Sequence, residues 1–158
     1  MKRKRIMIIG PQGAGKTSLA NWLNGVKKPL RRTADVLYGA RTLEVPSAYL
    51  ENTWMYRHLI ALSQDAWCIV VMVDQSKPQA LYSPGFASAF RCPLIGVIGK
   101  CDCCPAHRPQ LVRQLETIGV EPPYFAISMA TGEGLQALQM YLEHLEGGRV
   151  SDEIHHRI

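Results

Sequence analysis

The amino-acid sequence predicts an α/β fold with three layers, in which helices cover both faces of a mostly parallel sheet. Two observations support this prediction. Segments with the apolar pattern of strands alternate with segments of helical spacing, and Cys68–Val73 is an almost uninterrupted apolar run. Such a run is typical of a strand that is covered on both faces. Strands that alternate with helices form parallel sheets joined by right-handed crossovers.

The first half of the chain contains three predicted strands and a helix. Arg5–Gly10 is a short apolar run that ends in glycine, which indicates a buried strand leading into a loop. Lys16–Gly25 has apolar residues at helical spacing and a glycine as its stop signal, so we expect a helix there. Val36–Tyr38 and Arg41–Val45 are separated by Gly39-Ala40, which predicts two short strands joined by a tight turn.

The second half continues the alternation. Leu50–Gln64 places its large apolar residues near one helical face, and this pattern predicts a helix that packs on the sheet. Cys68–Val73 follows as the buried strand. The remaining predicted elements are a short helix at Pro84–Phe90, a strand at Leu94–Ile98, a helix at His107–Ile118, a strand at Tyr124–Ile127 and a helix at Gly134–Glu146.

Size and composition indicate a single domain with its own core. The chain has 158 residues, of which 47% are hydrophobic and 20% charged. We expect the domain to span residues 1–146 and a polar, flexible tail to follow at residues 147–158. No apolar run approaches the roughly 20 residues that a membrane-spanning helix needs, so we expect a cytoplasmic protein without a membrane span. The net charge of +5 favours an acidic partner without selecting nucleotide, nucleic acid, membrane or protein.

A phosphate-binding motif lies between the first predicted strand and helix. Gly10–Thr17 reads Gly-Pro-Gln-Gly-Ala-Gly-Lys-Thr and fits G-x-x-x-x-G-K-[ST] at every specified position. Its glycines allow positive φ angles, so that successive backbone N–H groups can surround an anion at the positive end of the helix. Lys16 is expected to bridge the β and γ phosphates, and the Thr17 hydroxyl to bind Mg²⁺. The alternative is a glycine-rich turn without a ligand. The predicted nucleotide-binding residues of this loop are Gly10, Gly13, Ala14, Gly15, Lys16, Thr17 and Ser18.

A second motif predicts which base is bound. Gly99-Lys100-Cys101-Asp102 follows a predicted strand and resembles the [N/T]-K-x-D motif with which Ras-like GTPases read guanine. The Asp102 carboxylate can accept hydrogen bonds from guanine N1–H and N2–H₂, which adenine does not offer in that arrangement. Lys100 is expected to pack along the base and the phosphate loop. Gly99 departs from the motif because it has no side chain with which to brace the loop.

Two weaker resemblances add candidate residues. Ser128-Met129-Ala130 resembles a degraded Ser-Ala-Lys motif, which implies that Ser128 and Met129 contact the guanine; an ordinary strand-to-helix turn is the alternative. Thr33 lies in the loop where Ras-like GTPases have the switch threonine that reaches Mg²⁺. A solvated loop threonine is the alternative there.

Over nearly its whole length the chain resembles the EutP/PduV family of ethanolamine- and propanediol-utilisation proteins, which are encoded with bacterial microcompartments. The segments that carry this resemblance are Lys4–Pro11, Tyr49–Asn52, Ser83–Ser88, Pro93–Gly96 and Thr131–Gly134. The resemblance implies a Ras-like P-loop NTPase fold that binds GTP or GDP with Mg²⁺. It also implies a location at a bacterial microcompartment and a shell or enzyme protein as partner, with no nucleic acid expected.

The sequence departs from this family where hydrolysis is controlled. The family carries Asp-Thr-Pro-Gly-Glu before Tyr-Leu-Glu-Asn, whereas this chain has Glu44-Val45-Pro46-Ser47-Ala48. Glu44 can replace the aspartate in the Mg²⁺ shell only with its carboxylate displaced by one methylene, so the implied metal ligands are Thr17, Thr33 and Glu44. Ala48 cannot orient the attacking water. We therefore expect at most a slow GTPase, and we name no catalytic residue.

Three hypotheses follow from these observations. The first is a guanine-nucleotide-binding protein whose site is either completed by a partner or no longer turns over. The second is a microcompartment assembly or localisation factor that needs no nucleotide. The third is a kinase of a small carboxylate such as acetate, an activity also associated with the family.

One further cluster of side chains could bind a metal. Cys101, Cys103, Cys104 and His107 offer soft ligands for zinc or copper, but their spacing differs from paired C-x-x-C sites. The odd number of cysteines, five, also does not match a secreted disulfide framework. We expect reduced thiols, and a metal site is the alternative.

Overall fold

The computed structural model describes residues 4–30 and 34–156, and side chains up to residue 148. Six strands of these residues form one sheet in the order β2-β3-β1-β4-β5-β6. β2 runs antiparallel to β3, and the other neighbouring pairs are parallel. The strands are β1 (Arg5–Ile9), β2 (Leu37–Tyr38), β3 (Thr42–Glu44), β4 (Ala66–Asp74), β5 (Leu94–Gly99) and β6 (Tyr124–Ala126).

Helices connect these strands and cover both faces of the sheet. The helices are α1 (Lys16–Asn24), α2 (Ala48–Glu51), α3 (Tyr56–Ser63), α4 (Arg108–Ile118) and α5 (Leu135–His156). Short 3₁₀ turns lie at Thr53–Met55, Phe86–Ala89 and Pro105–His107. The predicted α/β class with a mostly parallel sheet is therefore confirmed.

Two apolar layers hold the helices on the sheet. Because side chains alternate along a strand, Met7 and Ile9 of β1 face one layer while Ile6 and Ile8 face the other. The first layer includes apolar residues of α3 and α4, and the second includes those of α1 and α5. All nine residues of β4 are buried, as the uninterrupted apolar run predicts.

The helix predicted over Leu50–Gln64 is wrong in its first part. Asn52 has an extended backbone with φ −117° and ψ 111°, which separates α2 from the 3₁₀ turn and α3. Its side-chain Nδ2 donates to the Ala48 carbonyl at 2.9 Å. Asparagine offers the backbone such local hydrogen bonds in competition with helix, and here that competition divides the segment.

The last helix is longer than predicted. α5 passes through Gly147 and Gly148 and continues to His156, so its predicted end at Glu146 is wrong. Glycine is only a weak breaker inside a helix, at a cost of about 1 kcal/mol relative to alanine. Residue 147, where the flexible tail is predicted to start, thus lies within α5. The division into a domain and a tail stays a prediction.

The order of the strands decides where a ligand can bind. β3 lies on one side of β1 and β4 on the other, so the connection that follows β1 leads toward β3 while the connection that follows β4 leads the opposite way, toward β5. In open α/β sheets a crevice forms at this switch point. The segments that follow β1, β3, β4, β5 and β6 all emerge at this same edge.

Among the residues that the structure describes, no helix has both the length and the apolar character needed to cross a membrane.

The contact between α5 and the sheet allows a test of the core. Leu138 is fully buried, whereas Met140, two residues further along the same helix, is 63% exposed. Leu138→Ala should lower the free energy of unfolding by about 2–5 kcal/mol because it leaves a cavity. Met140→Ala should change it by less than about 0.5 kcal/mol. Urea unfolding of both variants measures the difference, and equal effects would contradict the placement of α5.

Candidate nucleotide-binding site

A cavity of about 1080 Å³ opens at the carboxyl edge of the sheet. Five segments line it: the loop after β1, residues between α1 and β2, the end of β3 with α2, the loop after β5 and the loop after β6. Most of the predicted site residues meet in this cavity. Those that line it are Gly13, Ala14, Gly15, Lys16, Thr17, Ser18, Glu44, Lys100, Asp102 and Met129.

The phosphate loop has the backbone that its glycines predict. Gly13 and Gly15 lie in the left-handed region, with φ 81° and 99°. The loop is closed by a hydrogen bond from Ala14 N to Pro11 O at 3.2 Å, and Leu19 N donates to Gly15 O at 2.9 Å at the start of α1. Because Gly15 has no side chain, the first N–H groups of α1 remain available to an anion.

Lys16 is buried inside this loop. Its Nζ donates to the carbonyl oxygens of Gly10 and Pro11, both at 3.0 Å. Burial lowers the pKa of Lys16, and the negative charges of Glu44 and Glu51 oppose this shift. Gly10 does not line the cavity, but its carbonyl holds the lysine. A β-carbon on Gly10 would lie 2.8 Å from Met72 Cβ, so glycine is required where β1 ends against β4.

Two oxygen donors for Mg²⁺ lie together beside the loop. Thr17 Oγ1 donates to Glu44 Oε1 at 2.5 Å. The pairing of β1 with β3, in which Ile8 is opposite Glu44, brings the end of β3 next to the phosphate loop. The extra methylene of Glu44 therefore does not keep its carboxylate from the threonine. A hydroxyl and a carboxylate suit a magnesium ion, which prefers oxygen ligands. Thr33 lies outside the described residues.

The segment after β3 also faces the cavity. Ser47 and Ala48 line it at the start of α2, and the methyl group of Ala48 cannot orient a water molecule. Glu51, one helical turn after Ala48, lines the cavity as well. Sequence reasoning gave Glu51 no role. Its spacing of three residues from Ala48, which places both on one helical face, was the available signal.

The predicted base-reading loop, residues 100–104, lies against the phosphate loop. Gly99, directly before it, places no side chain between the two loops. A β-carbon on Gly99 would lie 2.8 Å from Ala14 O, so the two backbones approach too closely for another residue. Asp102 lines the cavity and is exposed. Lys100 lines it as well, and its Nζ lies 3.3 Å from Asp74 Oδ2. Asp74 also accepts hydrogen bonds from Ser76 N and Oγ, at 2.9 and 2.7 Å.

Sequence reasoning missed Gln75, which supports the base-reading loop from behind. Its side chain is fully buried, and its Nε2 donates to the carbonyls of Cys101 and Cys103. Arg108 Nε donates to Gln75 Oε1 at 2.9 Å. The available signal was a polar pair, Asp74-Gln75, directly after a buried strand.

The loop after β6 contributes only part of what was predicted. Ser128 is fully buried and does not line the cavity; its Oγ accepts from Thr131 N at 3.1 Å, and its carbonyl from Gly132 N at 2.8 Å. These bonds close the turn before α5. Met129 and Ala130 line the cavity in its place.

The cysteine and histidine cluster has other hydrogen-bond partners. Cys101 Sγ donates to Glu133 Oε2 at 3.4 Å, and His107 Nδ1 lies 2.8 Å from Gln75 O. Cys101, Cys103 and Cys104 are thiols in the structure. In the described part of the chain, no three His, Cys, Asp or Glu side chains are grouped as a metal site.

The close approach at Gly99 can be tested by adding one methyl group. Gly99→Ala should lower the free energy of unfolding by about 1–3 kcal/mol, because the new β-carbon meets the Ala14 carbonyl. Gly147→Ala is the matched control: Gly147 is helical with open space around it, so alanine should raise stability by about 0.5–1 kcal/mol. Thermal unfolding of both variants gives the two signs. A stable Gly99→Ala variant would show that the two loops separate easily.

Comparison with known proteins agrees with this geometry. The family model PduV-EutP, described as "Ethanolamine utilisation - propanediol utilisation", matches residues 3–144. "Propanediol utilization protein PduV" of Citrobacter freundii is 31% identical over 90% of this chain and 95% of its own length. "Probable acetate kinase EutP" of Escherichia coli (strain K12) is 28% identical over 97% of this chain and 98% of its own length.

Among solved structures, the translation elongation factor SelB of Methanococcus maripaludis, in complex with the GTP analogue GppNHp, matches with a TM-score of 0.66 at 18% identity. The match covers 93% of this chain, which spans only 35% of the SelB chain. This likeness shows that the chain has the fold of P-loop GTPases. The family match, which covers almost the whole described chain, shows that the protein belongs to the PduV-EutP family.

Proposed function

We propose that this chain binds GTP and GDP with Mg²⁺ in the cavity at the carboxyl edge of the sheet, and that it hydrolyses GTP slowly on its own. One observation carries the proposal: the same cavity is lined by residues 12–17 of the phosphate loop and by Asp102 of the base-reading loop. Its volume of about 1080 Å³ is at the upper end of ligand sites. The cavity therefore has room for a nucleoside triphosphate.

Charge and hydrogen bonding support the phosphate part of the proposal. Lys16 is the cation at this end of the cavity, and its two carbonyl partners hold Nζ inside the loop. Thr17 and Glu44 would hold Mg²⁺, whose charge offsets that of the phosphates. Thr33 stays a predicted further ligand.

The guanine part rests on Asp102. A carboxylate is an acceptor only, so it matches the two N–H donors of guanine and has no partner on the corresponding edge of adenine. Lys100 and Met129 line the same end of the cavity and provide apolar contact area for a base. Ser128 would act by shaping the turn, since it does not line the cavity.

The expected slow hydrolysis follows from the side chains near the proposed position of the γ phosphate. Ras-like sites need a side chain that orients the attacking water, and they gain most of their rate from an added arginine. Ala48 provides no such side chain. Among the described residues that line the cavity there is no arginine. The described residues that line the cavity therefore supply neither group, and we expect the isolated chain to turn over slowly.

Similarity to named relatives suggests the setting of this activity. The family description refers to ethanolamine and propanediol utilisation. We place the chain in the cytoplasm at a bacterial microcompartment, with a shell or enzyme protein as partner. The alternative, an assembly factor that needs no nucleotide, predicts that partner capture survives Lys16→Ala. If binding of the partner depends on nucleotide, Lys16→Ala should abolish capture of the partner.

Acetate kinase activity, which the name of the Escherichia coli relative suggests, ranks below nucleotide binding alone. The cations among the described lining residues are Lys16 and Lys100. Lys16 is held by the phosphate loop, and Lys100 is paired with Asp74. Neither is left to bind an acetate carboxylate. Formation of acetyl phosphate from ATP and acetate would reverse this ranking.

Calorimetric titration of nucleotide-free protein tests the main proposal. The wild type should bind GDP and GTP in Mg²⁺ more tightly than ATP. Lys16→Ala should abolish binding because the phosphates lose their cation, and Asp102→Ala should abolish the preference for guanine. Lys77→Ala and Glu121→Ala, at exposed positions outside the cavity, should leave nucleotide affinity and the preference for guanine unchanged. Absence of binding to any nucleotide in the folded wild type would refute the proposal.

Single-turnover hydrolysis tests the role of residue 48. The wild type should turn over GTP no faster than about 10⁻⁴ s⁻¹, the order of an unassisted Ras-like site. Ala48→Gln should increase this rate, because its amide can orient water, while nucleotide affinity stays unchanged. Turnover of about 1 s⁻¹ by the isolated wild type would show that another residue supplies catalysis.

A further inference from the structure

We propose that Gln75, supported by Arg108, determines the guanine selectivity of this site by fixing the backbone on both sides of Asp102. The inference rests on the proposed function, since it concerns how the base is read. Gln75 does not line the cavity, so it acts as a positioning residue.

The loop that carries Asp102 needs external support. Lys100 and Cys104, at its two ends, have positive φ angles of 56° and 48° although neither is glycine. Such conformations are unfavourable for residues with a β-carbon, and they persist only where the surroundings enforce them. Gly99 cannot supply that support because it has no side chain. The contacts that hold the loop therefore come from elsewhere in the fold.

Cys101 N donates to Ile127 O at 3.0 Å, and Gln75 makes the contacts on both sides of Asp102. Its Nε2 donates to Cys101 O at 3.0 Å and to Cys103 O at 2.6 Å. The two carbonyls belong to the residues directly before and after Asp102. Gln75 N also donates to Gly99 O at 3.0 Å, which ties the end of β4 to the start of the loop. One buried side chain thus fixes the peptide groups that set the position of the carboxylate.

Arg108 fixes the orientation of the Gln75 amide. Its Nε donates to Gln75 Oε1 at 2.9 Å, and its Nη2 donates to Cys101 O at 3.4 Å. An arginine side chain is a donor only, so the amide oxygen must face it and the amide N–H₂ must face the loop. The Gln75 carbonyl in turn lies 2.8 Å from His107 Nδ1. The network connects the end of β4, the loop and the start of α4.

Base selection is sensitive to this network because Asp102 recognises guanine by two hydrogen bonds with strict geometry. A loop that moves would still allow the phosphate loop to bind any nucleotide, since Lys16 and Thr17 lie on another segment. Loss of the Gln75 contacts should therefore lower affinity for guanine nucleotides without lowering affinity for phosphate chains. Loss of a residue needed only for stability would lower the affinity for guanine nucleotides and the affinity for phosphate chains alike.

Gln75→Glu tests the proposal with the smallest change in shape. Glutamate keeps an oxygen for Arg108, removes both N–H donors and places a carboxylate oxygen against two carbonyls. The affinity for GDP should fall at least about tenfold, and the ratio of GDP to ADP affinity by the same factor. The affinity for inorganic triphosphate in Mg²⁺ should stay unchanged. Gln114→Glu is the matched control, because Gln114 on α4 also donates to a backbone carbonyl, that of Gln79 at 2.7 Å.

The outcomes are distinct. An unchanged GDP to ADP ratio in folded Gln75→Glu overturns the inference, and so does an equal loss for GDP, ADP and triphosphate. If the wild type itself binds no guanine nucleotide, the proposed function fails and the inference fails with it.

If circular dichroism shows that Gln75→Glu does not fold, Arg108→Leu replaces it. That variant removes the donors to Gln75 Oε1 and should lower the ratio several-fold; an unchanged ratio overturns the inference.

Discussion

The close packing of the phosphate loop against the ends of β4 and β5 is the constraint on which the site depends. Gly10 directly follows β1, and a β-carbon there would collide with Met72 of β4; Gly99 ends β5, and a β-carbon there would collide with the Ala14 carbonyl. These two contacts bring the phosphate loop and the base-reading loop to the same edge. They also explain why glycine occupies position 99, where related GTPase motifs have a residue with a side chain.

The same packing organises the charges around Lys16. The lysine is buried because the loop closes over it, and burial lowers its pKa. Two loop carbonyls accept hydrogen bonds from its ammonium group, which has three N–H donors, while Glu44 and Glu51 provide negative charge nearby. A buried cation that is surrounded by acceptors and not paired directly with a carboxylate can take a phosphate as a new partner. We propose that the arrangement suits binding more than rapid chemistry, because Ala48 lies where Ras-like sites carry the water-orienting side chain.

Hydrogen bonds from Gln75, which does not line the cavity, support the base-reading loop from behind the site. In the motif that this loop resembles, a side chain at position 99 reaches toward the phosphate loop. Here the tight contact at Gly99 excludes that side chain, and a buried amide at Gln75 binds the loop carbonyls. Gly99, the last residue of β5, thus allows the close packing of the loop, and Gln75, directly after β4, holds its backbone.

The sequence by itself determined the fold class, the phosphate loop and the family. Each of these depends on local pattern: the apolar run of β4, the spacing of Gly10–Thr17, and short segments that stay together along the chain. The tertiary structure alone decided what happens where distant segments meet. Asn52 divides a segment of good helical spacing because its side chain caps α2, and α5 continues through two glycines. Ser128 turns away from the cavity, and Gln75 reaches it only through backbone carbonyls of a loop 26 residues further along. No periodicity encodes such contacts, because they depend on which strand ends lie side by side in the sheet.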